Sequence, residues 1–428
     1  MSEHILIFGN GYDIPGRIRA RGKRLGRAYT TSVLCRLEHL AKVEEAEGHA
    51  RIVAVRADAP VEEWIELARA VHATQSVTRI AAFGDQCQEA AADAARALGI
   101  ATHAPETVRL VFDKFAMRRR LAEAGVESIP AAEVPDVDAL RAFAAEHGYP
   151  CVVKPRRGTA STGVSMIRSA EEAPAAFARA LGKEGAAGGA DDAEAASEVV
   201  VEAFLPGAQY SVEAFSEGGE HVAVAFTRKY SDPASLVELG HVMPAPLDAG
   251  QEEEIRAHLA RALDALGVEF GPTHTEVVLT GQGPRIIETH LRVGGDEIWN
   301  MVTDATGVDL VEYQLRQCTG ERVLPELRAA LAGARRGRRG EAIWFAGAPA
   351  AGVLVEVTGA DGPHPEGVRV EVLGRAGDRL HGLRSSDSRL AQARAGADTP
   401  DKALALAQEA IGRLEFVTRV TAEEPDLL

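Results

Sequence analysis

The stretch Gly-Pro-Arg-Ile-Ile-Glu-Thr-His-Leu-Arg-Val-Gly-Gly, residues 283–295, carries most of the information about fold and function. Its apolar pair Ile286-Ile287 predicts a strand. Glu288, His290 and Arg292 then follow in alternation. Because residues two apart on a strand share a face, a carboxylate, an imidazole and a guanidinium are expected to point the same way. The two glycines that follow allow another group to approach the backbone closely.

A second candidate carboxylate precedes this stretch. Glu276 lies within Thr275–Leu279, an apolar run that also predicts a strand. Magnesium in phosphate-transfer sites is commonly held by one or two carboxylates together with phosphate oxygens. Two carboxylates on neighbouring strands, with a cation beside them, therefore suit a magnesium-bound phosphate better than a packed core.

Length and composition describe a multidomain globular protein. The chain has 428 residues, of which 46% are hydrophobic and 26% are charged. This length exceeds one ordinary core and predicts two or three domains. The formal net charge of −16 argues against a nucleic-acid partner, because such a partner requires a basic face.

Cysteine spacing and hydropathy bear on the compartment. The four cysteines are widely scattered and form no CxxC pair, so neither a zinc site nor a redox motif is predicted. Buried free thiols in a reducing cytosol are expected instead. The N-terminal Met1–Gly9 is too short and too acidic for a signal peptide, and no apolar run is long enough to span a membrane. A cytoplasmic protein without a membrane partner is expected.

The first hundred or so residues alternate between strand and helix patterns. The predicted helices cover Pro60–Ala73 and Gln86–Leu98, and this alternation indicates a small parallel sheet flanked by helices. The predicted strands are His4–Phe8, Ile52–Val55 and Arg79–Phe83. The Gly9-x-Gly11 sequence lacks the third glycine of a dinucleotide fingerprint and does not by itself predict a nucleotide site.

A glycine-containing hairpin is predicted in the middle of the chain. A strand over Pro150–Pro155 is followed by the small-residue turn Gly158–Gly163 and by a second strand over Val164–Ile167. The turn has GxxxxG spacing, but Val164 stands where a Walker loop needs lysine. The lysine lies upstream, at Lys154. Backbone N–H groups at such a tip can cover a polyphosphate; an ordinary flexible hairpin is the alternative.

Strand patterns resume after a low-complexity run at residues 182–197, which predicts a mobile surface loop. Tyr210–Phe215 and His221–Arg228 are expected to pair with Glu198–Leu205. The arginine-rich residues 334–340 predict an exposed linker. Beyond the linker, three short strands and a helix over Asp401–Leu414 predict a small α+β unit.

Taken in order, these segments resemble the ATP-grasp superfamily between about residues 105 and 310. Lys114, in Phe112-Asp113-Lys114, is similar to the first nucleotide lysine of that family, and Lys154 to the second. The resemblance implies that a glycine-rich lid covers the phosphates and that a hinge strand receives the adenine. The lid would include Gly158, Ser161, Thr162 and Gly163, and the hinge would include Glu202, Ala203, Phe204 and Leu205.

The resemblance also assigns the acidic strands. Glu202 would hold the adenine amino group, while main-chain groups near Ala203 to Leu205 would bond the purine. Glu276 and Glu288 fall where the family holds its magnesium ions. Arg292 falls where the family contacts the reacting phosphoryl group. ATP and two magnesium ions are therefore the implied cofactors.

Two residues depart from the family pattern. Gln209 stands where a ribose-binding glutamate is usual, so that either Gln209 bonds the sugar or Glu213 substitutes for the usual residue. His290 stands where the metal strand commonly has asparagine. Because imidazole suits softer divalent metals than magnesium, His290 is expected either to bind manganese or to donate a hydrogen bond behind the metal ligands.

Within the superfamily, residues 237–244 and 274–276 resemble the L-amino acid ligase group, in which Glu238 and His241 would face the substrate cleft. The implied fold combines α/β and α+β parts. An N-terminal parallel α/β domain would cover residues 1–108, and a central lid domain residues 109–206. A C-terminal antiparallel-sheet domain would cover residues 207–428, with a closing lobe from about residue 341.

The resemblance implies an ADP-forming ligase that joins an amino acid carboxylate to an amine through an acyl phosphate. Arg292 would stabilise the transferred group, and Glu238 or His241 would accept the proton of the amine. Two alternatives stay open: an enzyme that phosphorylates bicarbonate, and a non-catalytic nucleotide-binding protein. Small molecules are the expected partners, and a homodimer is the default expectation. The sequence leaves the acid, the amine and the type of amide undetermined.

Overall fold

The computed structural model describes residues 3–182, 198–333, 339–348 and 351–419. Most of the predicted low-complexity loop and most of the predicted basic linker lie outside the described residues. No helix within the described ranges is both long and apolar enough to cross a membrane. All four cysteines are free, as predicted; three are buried and Cys318 is half-buried.

The N-terminal part contains a four-stranded parallel sheet in the order β3-β2-β1-β4. Its elements are β1 (Glu3–Phe8), α1 (Ile14–Leu25), β2 (Tyr29–Arg36), β3 (Arg51–Val55), α2 (Val61–Thr74), β4 (Arg79–Ala82) and α3 (Gln88–Leu98). The sequence analysis missed α1 and β2. Helix α1 carries five basic residues, which weaken its apolar pattern, and its arginines are held by acidic groups distant in sequence.

Strand order in this sheet reverses between β1 and β4. The loops after these two strands, Gly9–Asp13 and Phe83–Cys87, therefore lie side by side at the carboxyl end of the sheet. Such a reversal leaves a crevice in which open α/β sheets commonly bind ligands. The sheet is anchored by fully buried Ile5, Leu6 and Ile7, so the positions of both loops are set by packed strands.

The central part is a four-stranded antiparallel sheet in the order β5-β8-β6-β7. Its elements are α4 (Pro105–Phe112), α5 (Lys114–Glu123), β5 (Ala131–Val134), α6 (Val137–His147), β6 (Cys151–Pro155), β7 (Ser165–Ile167), α7 (Ala173–Ala180) and β8 (Val199–Ala203). The predicted hairpin is present, with Cys151 opposite Ile167 and Val153 opposite Ser165. Gly163 in its turn has φ +74°, and a Cβ there would lie 2.8 Å from Pro155 Cγ, so glycine is required by shape.

The C-terminal part is built on an eight-stranded sheet in the order β13-β12-β9-β10-β11-β14-β18-β16. Helices α8, α9 and α10 pack against it, and α12 packs against its far end. The elements are β9 (Ala208–Glu217), β10 (Glu220–Ser231), β11 (Glu238–Met243), α8 (Ala249–Leu266), β12 (Phe270–Thr280), β13 (Gly283–His290), α9 (Ile298–Thr306), α10 (Leu310–Cys318), α11 (Leu324–Gly333), β14 (Gly340–Gly347), β15 (Ala351–Thr358), β16 (Val368–Val372), β17 (Arg379–His381), β18 (Arg389–Ala397), α12 (Pro400–Gly412) and β19 (Glu415–Arg419).

Two expectations about this region need correction. The predicted pairing of β9 and β10 with β8 is wrong, because β9 pairs with β10 and β12 in a different sheet. The chain changes sheets at Gly207, where an added Cβ would lie only 2.3 Å from the Leu279 carbonyl oxygen. The C-terminal unit is also less separate than expected, because β14, β18 and β16 extend the large sheet, while β15, β17 and β19 form a small sheet of their own.

Candidate active site

A cleft of about 460 Å³ lies between the hairpin sheet and the large sheet. One wall comes from β6, β8 and the hairpin turn, and the other from β9 to β13. Apolar side chains such as Val152, Leu205 and Val278 alternate in its lining with charged ones. The predicted site residues that line it are Lys114, Lys154, Gly158, Ser161, Thr162, Glu202, Ala203, Phe204, Leu205, Gln209, Glu238, Glu276 and Glu288.

The hairpin turn is tied to both walls. Lys114 Nζ donates to the Gly158 carbonyl oxygen at 2.5 Å and lies 3.3 Å from Glu288 Oε2. Ala160 and Ser161, at the tip, have positive φ values of 58° and 57°, a conformation that non-glycine residues adopt at a cost. Ser386, beyond β17, donates its backbone N–H to the Ala160 carbonyl oxygen at 3.0 Å. The turn thus lies over the cleft, held to β13 through Lys114 and to the C-terminal lobe through Ser386.

Buried ion pairs line the floor below β8. Lys154 Nζ donates to Glu202 Oε2 at 2.8 Å, and Arg118 donates to both oxygens of the same carboxylate. Burial alone would raise the pKa of Glu202, but the charges of Arg118 and Lys154 outweigh it and lower that pKa to about 2. Burial lowers the pKa of Lys154, against the opposing charge of Glu202. The Glu202 carboxylate, predicted to hold an adenine, is therefore already bound by two cations in this structure.

The two predicted metal-binding carboxylates lie side by side on adjacent strands of the large sheet. Glu276 on β12 lies directly opposite Glu288 on β13. Each has a lysine partner: Glu288 pairs with Lys114, and Glu276 accepts a hydrogen bond from the buried Lys229 of β10. Lys229 also donates to Glu238 Oε1 at 3.2 Å, and these carboxylates raise its pKa although burial opposes the charge. Carboxylates and lysines thus alternate along this wall.

Gln209, and not Glu213, is the residue that borders the cleft. The Gln209 side chain donates to Glu276 Oε2 at 3.3 Å and accepts from Ser231 Oγ at 3.2 Å. Glu213 lies on the same face of β9 but is fully buried, pairing with His274 Nδ1 at 2.6 Å and accepting from the Gly294 N–H. Of the two sugar-binding alternatives, only Gln209 is in a position to reach a ligand in the cleft.

The predicted metal set of Glu276, Glu288 and His290 requires correction. No three His, Cys, Asp or Glu side chains within the described ranges converge on a point where they could hold a metal ion. His290 Nε2 lies 3.2 Å from Glu288 Oε1, and His290 Nδ1 lies 3.4 Å from Asp85 Oδ2. Burial lowers the pKa of His290, but hydrogen bonds to both carboxylates raise it overall. With each ring nitrogen directed at a carboxylate, His290 is placed to hydrogen-bond Glu288 and Asp85.

The two remaining carboxylates nevertheless fit a magnesium–phosphate complex. Magnesium prefers oxygen ligands and is usually held by one or two carboxylates, with phosphates supplying further oxygens. Glu276 and Glu288 provide such a pair, and Lys114 and Lys229 lie close enough to bind phosphate when the carboxylates bind metal. Without imidazole in the set, the donor atoms are all oxygens, which suit magnesium as well as manganese.

Arg292 lies in a neighbouring cavity of about 620 Å³, which we call the N-terminal crevice. It is lined by the two loops at the strand-order reversal, by Gly294 and Gly295, and by the aromatic Trp299. Arg292 is not among the residues that line the cleft. Thr159 of the hairpin turn borders both cavities, so the two spaces adjoin.

His241 also needs correction, because it faces neither cavity. It is almost fully buried, and its Nε2 lies 3.0 Å from Asp296 Oδ2. Asp296 in turn accepts two hydrogen bonds from Arg389, whose guanidinium lies over the Phe345 ring. His241 thus joins β11 to the C-terminal lobe. Glu238, by contrast, borders the cleft and contacts Ser161 Oγ at 3.4 Å.

Three charged residues near the site escaped the sequence analysis. Lys229 and Arg118 are buried beneath the carboxylates that they bind, and Asp85 contacts Arg292 from the N-terminal sheet. For Lys229, its position directly after the predicted strand His221–Arg228 was an available signal. No local sequence pattern pointed to Asp85, because its partner Arg292 lies more than two hundred residues away in the sequence.

Comparison with known proteins accords with this arrangement. Residues 147–299 match the ATP-grasp domain family, and residues 344–419 match the family described as L-amino acid ligase C-terminal domain 2. Over its length the chain has the fold of an L-amino acid ligase from Bacillus licheniformis, with a TM-score of 0.76 at 18% identity, covering 97% of this chain and 99% of the other. The chain therefore contains an ATP-grasp domain and a domain of the L-amino acid ligase C-terminal type, and it resembles the L-amino acid ligases.

The curated relatives match only part of this chain and part of their own length. The uncharacterized protein y4rH of Sinorhizobium fredii is 33% identical over 217 residues, which is 51% of this chain and 44% of the relative. Alanine–anticapsin ligase of Bacillus subtilis is 27% identical over 274 residues, 60% of this chain and 57% of the relative. Dapdiamide A synthase of Enterobacter agglomerans is 27% identical over 222 residues, 51% and 48% of the two chains. The matched region thus spans about half the length of these relatives.

Proposed function

We propose that the chain is an ATP-dependent ligase that joins the carboxylate of an amino acid to an amine and releases ADP and phosphate. The observation that carries this proposal is the pair of adjoining cavities. One is lined by lysine–carboxylate pairs suited to magnesium and phosphate, and the other is lined by Arg292 and the N-terminal loops. The alanine–anticapsin and dapdiamide relatives add support from their names.

Two cavities meeting at Thr159 suit a reaction between a nucleotide and a small acid. A carboxylate resists amines because its oxide is a poor leaving group. In the first step a carboxylate oxygen attacks the terminal phosphorus of ATP, the bond from that phosphorus to the ADP oxygen breaks, and an acyl phosphate forms. Lys114, Lys154 and Lys229 would bind phosphate oxygens and offset their charge, which is most of what phosphoryl transfer requires.

Magnesium bound at Glu276 and Glu288 would supply charge neutralisation at the phosphates. We propose two ions, with His290 excluded as a ligand and acting as a donor to Glu288. Arg292, at the edge of the adjoining crevice, is suited to bind the transferred phosphoryl group. The hairpin turn would keep water from the acyl phosphate, because it covers the cleft and is tied to Glu288 through Lys114.

In the second step the amine nitrogen attacks the acyl carbon, the bond to phosphate breaks, and the nitrogen loses a proton. Glu238 is our candidate acceptor for that proton, because its carboxylate borders the cleft near the hairpin tip. His241 is withdrawn as a candidate, since its ring is buried against Asp296. Gln209 is proposed to bond the ribose hydroxyls, and Ala203 to Leu205 to receive the purine.

The organisation of the chain is proposed as three parts, at residues 1–108, 109–206 and 207–428, since each carries its own sheet or sheets. We propose that the protein is cytoplasmic, because its four free thiols would stay reduced in that compartment. Homodimerisation is proposed only as the commonest oligomeric arrangement. Sedimentation equilibrium with the full chain would measure it.

The direct test is a pairwise screen of amino acids with ATP and magnesium, in which ADP and phosphate are measured and products are identified by mass. We expect equal amounts of ADP, phosphate and amide with at least one acid–amine pair. Bicarbonate-dependent ADP release without amide would favour the carboxylase-like alternative. Tight ATP binding with no turnover on any pair would favour a binding protein.

A further inference from the structure

The short segment Asp85–Gln88, after the last strand of the parallel sheet, contacts the end of β13 and the residues just beyond it. Asp85 Oδ2 accepts a hydrogen bond from Arg292 Nε at 2.7 Å, and lies 3.4 Å from His290 Nδ1. Gln88 Nε2 donates to the Leu291 carbonyl oxygen at 2.9 Å. Three successive residues, the last of β13 and the two that follow it, are therefore held from the N-terminal part of the molecule.

These contacts leave Arg292 with one free edge. Its Nε is bound by Asp85, and its Nη1 donates to the Val293 carbonyl oxygen at 2.8 Å. Within the described residues, Nη2 has no hydrogen-bond acceptor. Because the guanidinium is planar and rigid, two anchored nitrogens fix the direction in which the third one points. Arg292 and Asp85 both line the N-terminal crevice.

A second chain of contacts runs from Asp85 to the nucleotide cleft. His290 Nε2 lies 3.2 Å from Glu288 Oε1, and the other oxygen of Glu288 lies 3.3 Å from Lys114 Nζ. Lys114 then reaches the hairpin turn at Gly158. Asp85 is therefore linked directly to the arginine of the crevice and, through His290, to the carboxylate of the cleft.

We propose that Asp85 is a positioning residue of the ligase reaction, which holds Arg292 in register with Glu288 through His290. The inference rests on the proposed function. It assigns to the N-terminal domain a part in aligning the phosphoryl-transfer groups, in addition to lining the crevice. A plain domain contact would account for Gln88, which binds only a backbone carbonyl, but would not require one carboxylate to hold two side chains of the site.

The test compares Asp85→Ala with Gln88→Ala, a neighbouring variant that removes an interdomain hydrogen bond without touching Arg292. Loss of a partner behind a metal or reacting group typically lowers activity about 10- to 100-fold. We expect Asp85→Ala to lower kcat by that factor with KM for ATP unchanged within about threefold, and Gln88→Ala to keep kcat within about threefold. Asp85→Asn, which keeps an acceptor for Arg292 Nε and preserves shape, should recover part of kcat.

A double variant tests whether Asp85 acts through Arg292. If it does, Asp85→Ala should cost little more in an Arg292→Ala background, because groups that act as a unit are non-additive. Fully multiplicative losses in the double variant would overturn the proposal. So would an unchanged kcat in Asp85→Ala, or an equal loss in Gln88→Ala.

A binding readout separates this inference from the proposed function. Magnesium, ADP and aluminium fluoride mimic a phosphoryl group in transfer and need no amino acid. Calorimetry measures the Kd of ADP with and without aluminium fluoride. We expect aluminium fluoride to lower this Kd in the wild-type chain, and the fold-decrease to be at least about tenfold smaller in Arg292→Ala and Asp85→Ala. If no acid–amine pair supports turnover, this comparison still decides the role of Asp85. The proposal would be overturned if aluminium fluoride tightened ADP binding equally in wild type and Asp85→Ala, or if it did not tighten ADP binding in wild type.

Discussion

The nucleotide cleft and the N-terminal crevice adjoin but are constructed differently. The cleft is walled by two antiparallel sheets, and its lysines and carboxylates neutralise one another in buried pairs. The crevice lies between loops at the carboxyl end of a parallel sheet and is lined by aromatic and polar groups, with Arg292 held at its edge. The cleft is thus suited to a strongly charged ligand, and the crevice to a ligand that makes mixed polar and apolar contacts.

The largest effect is expected at Glu288. Glu288→Gln keeps the size of the side chain but removes a negative charge from the proposed metal pair, and it also weakens the contacts to Lys114 and His290. Since a bound metal contributes several kcal/mol to the transition state, ADP formation should fall on the order of 10³-fold. Single-turnover ADP release measures this. Glu66→Gln, an exposed glutamate on α2, is the control; an unchanged rate in Glu288→Gln would refute the metal assignment.

A second prediction concerns the buried lysine of the cleft. Lys229→Met leaves Glu276 and Glu238 without their shared cation, and breaking a buried ion pair typically costs about 3–5 kcal/mol. The free energy of unfolding should fall by about that amount without ligand. Magnesium with ADP should restore more stability in the variant than in wild type, because the metal supplies the missing positive charge. Urea unfolding with and without magnesium–ADP checks this, and equal ligand stabilisation in both proteins would contradict it.

The smallest effect should separate the two cavities by substrate. Trp299→Ala enlarges the crevice and should raise KM for an amino acid about tenfold, while KM for ATP stays within about twofold. Phe204→Ala, in the hinge that borders the cleft, should raise KM for ATP about tenfold and leave KM for the amino acid within about twofold. Removal of a buried aromatic contact of roughly 1–2 kcal/mol corresponds to such factors. Steady-state kinetics with each substrate varied in turn provides the measurement. Both variants affecting the same KM would mean that the cavities do not bind different substrates.

The sequence predicted the cleft better than the crevice because the cleft residues lie in local patterns. Lys154 and the turn at Gly158–Gly163 stand together in one hairpin, and Glu276 and Glu288 lie on consecutive strands that pair with each other. Such motifs are legible within a few tens of residues. The pairing of β9 was mispredicted, because a strand pattern contains no information about which sheet the strand joins.

The crevice could not be predicted in the same way. Its loops follow β1 and β4, and they meet only because the strand order reverses between them. The contact of Asp85 with Arg292 joins residues 207 positions apart. His241 shows the opposite error: its neighbourhood in the sequence suggested a substrate contact, but its partners, Asp296 and Arg389, come from elsewhere and leave it buried.

The sequence by itself determined the likeness to ATP-grasp domains, the hairpin, the paired acidic strands and two of the cleft-lining lysines, Lys114 and Lys154, because each depends on alternation and spacing along a short segment. Only the tertiary structure decided which cavity receives Arg292, that both ring nitrogens of His290 lie near carboxylates, and that Asp85 contacts Arg292. Those features depend on contacts between elements far apart in the chain, and their energies come from burial and charge pairing that appear only when the sheets are packed together.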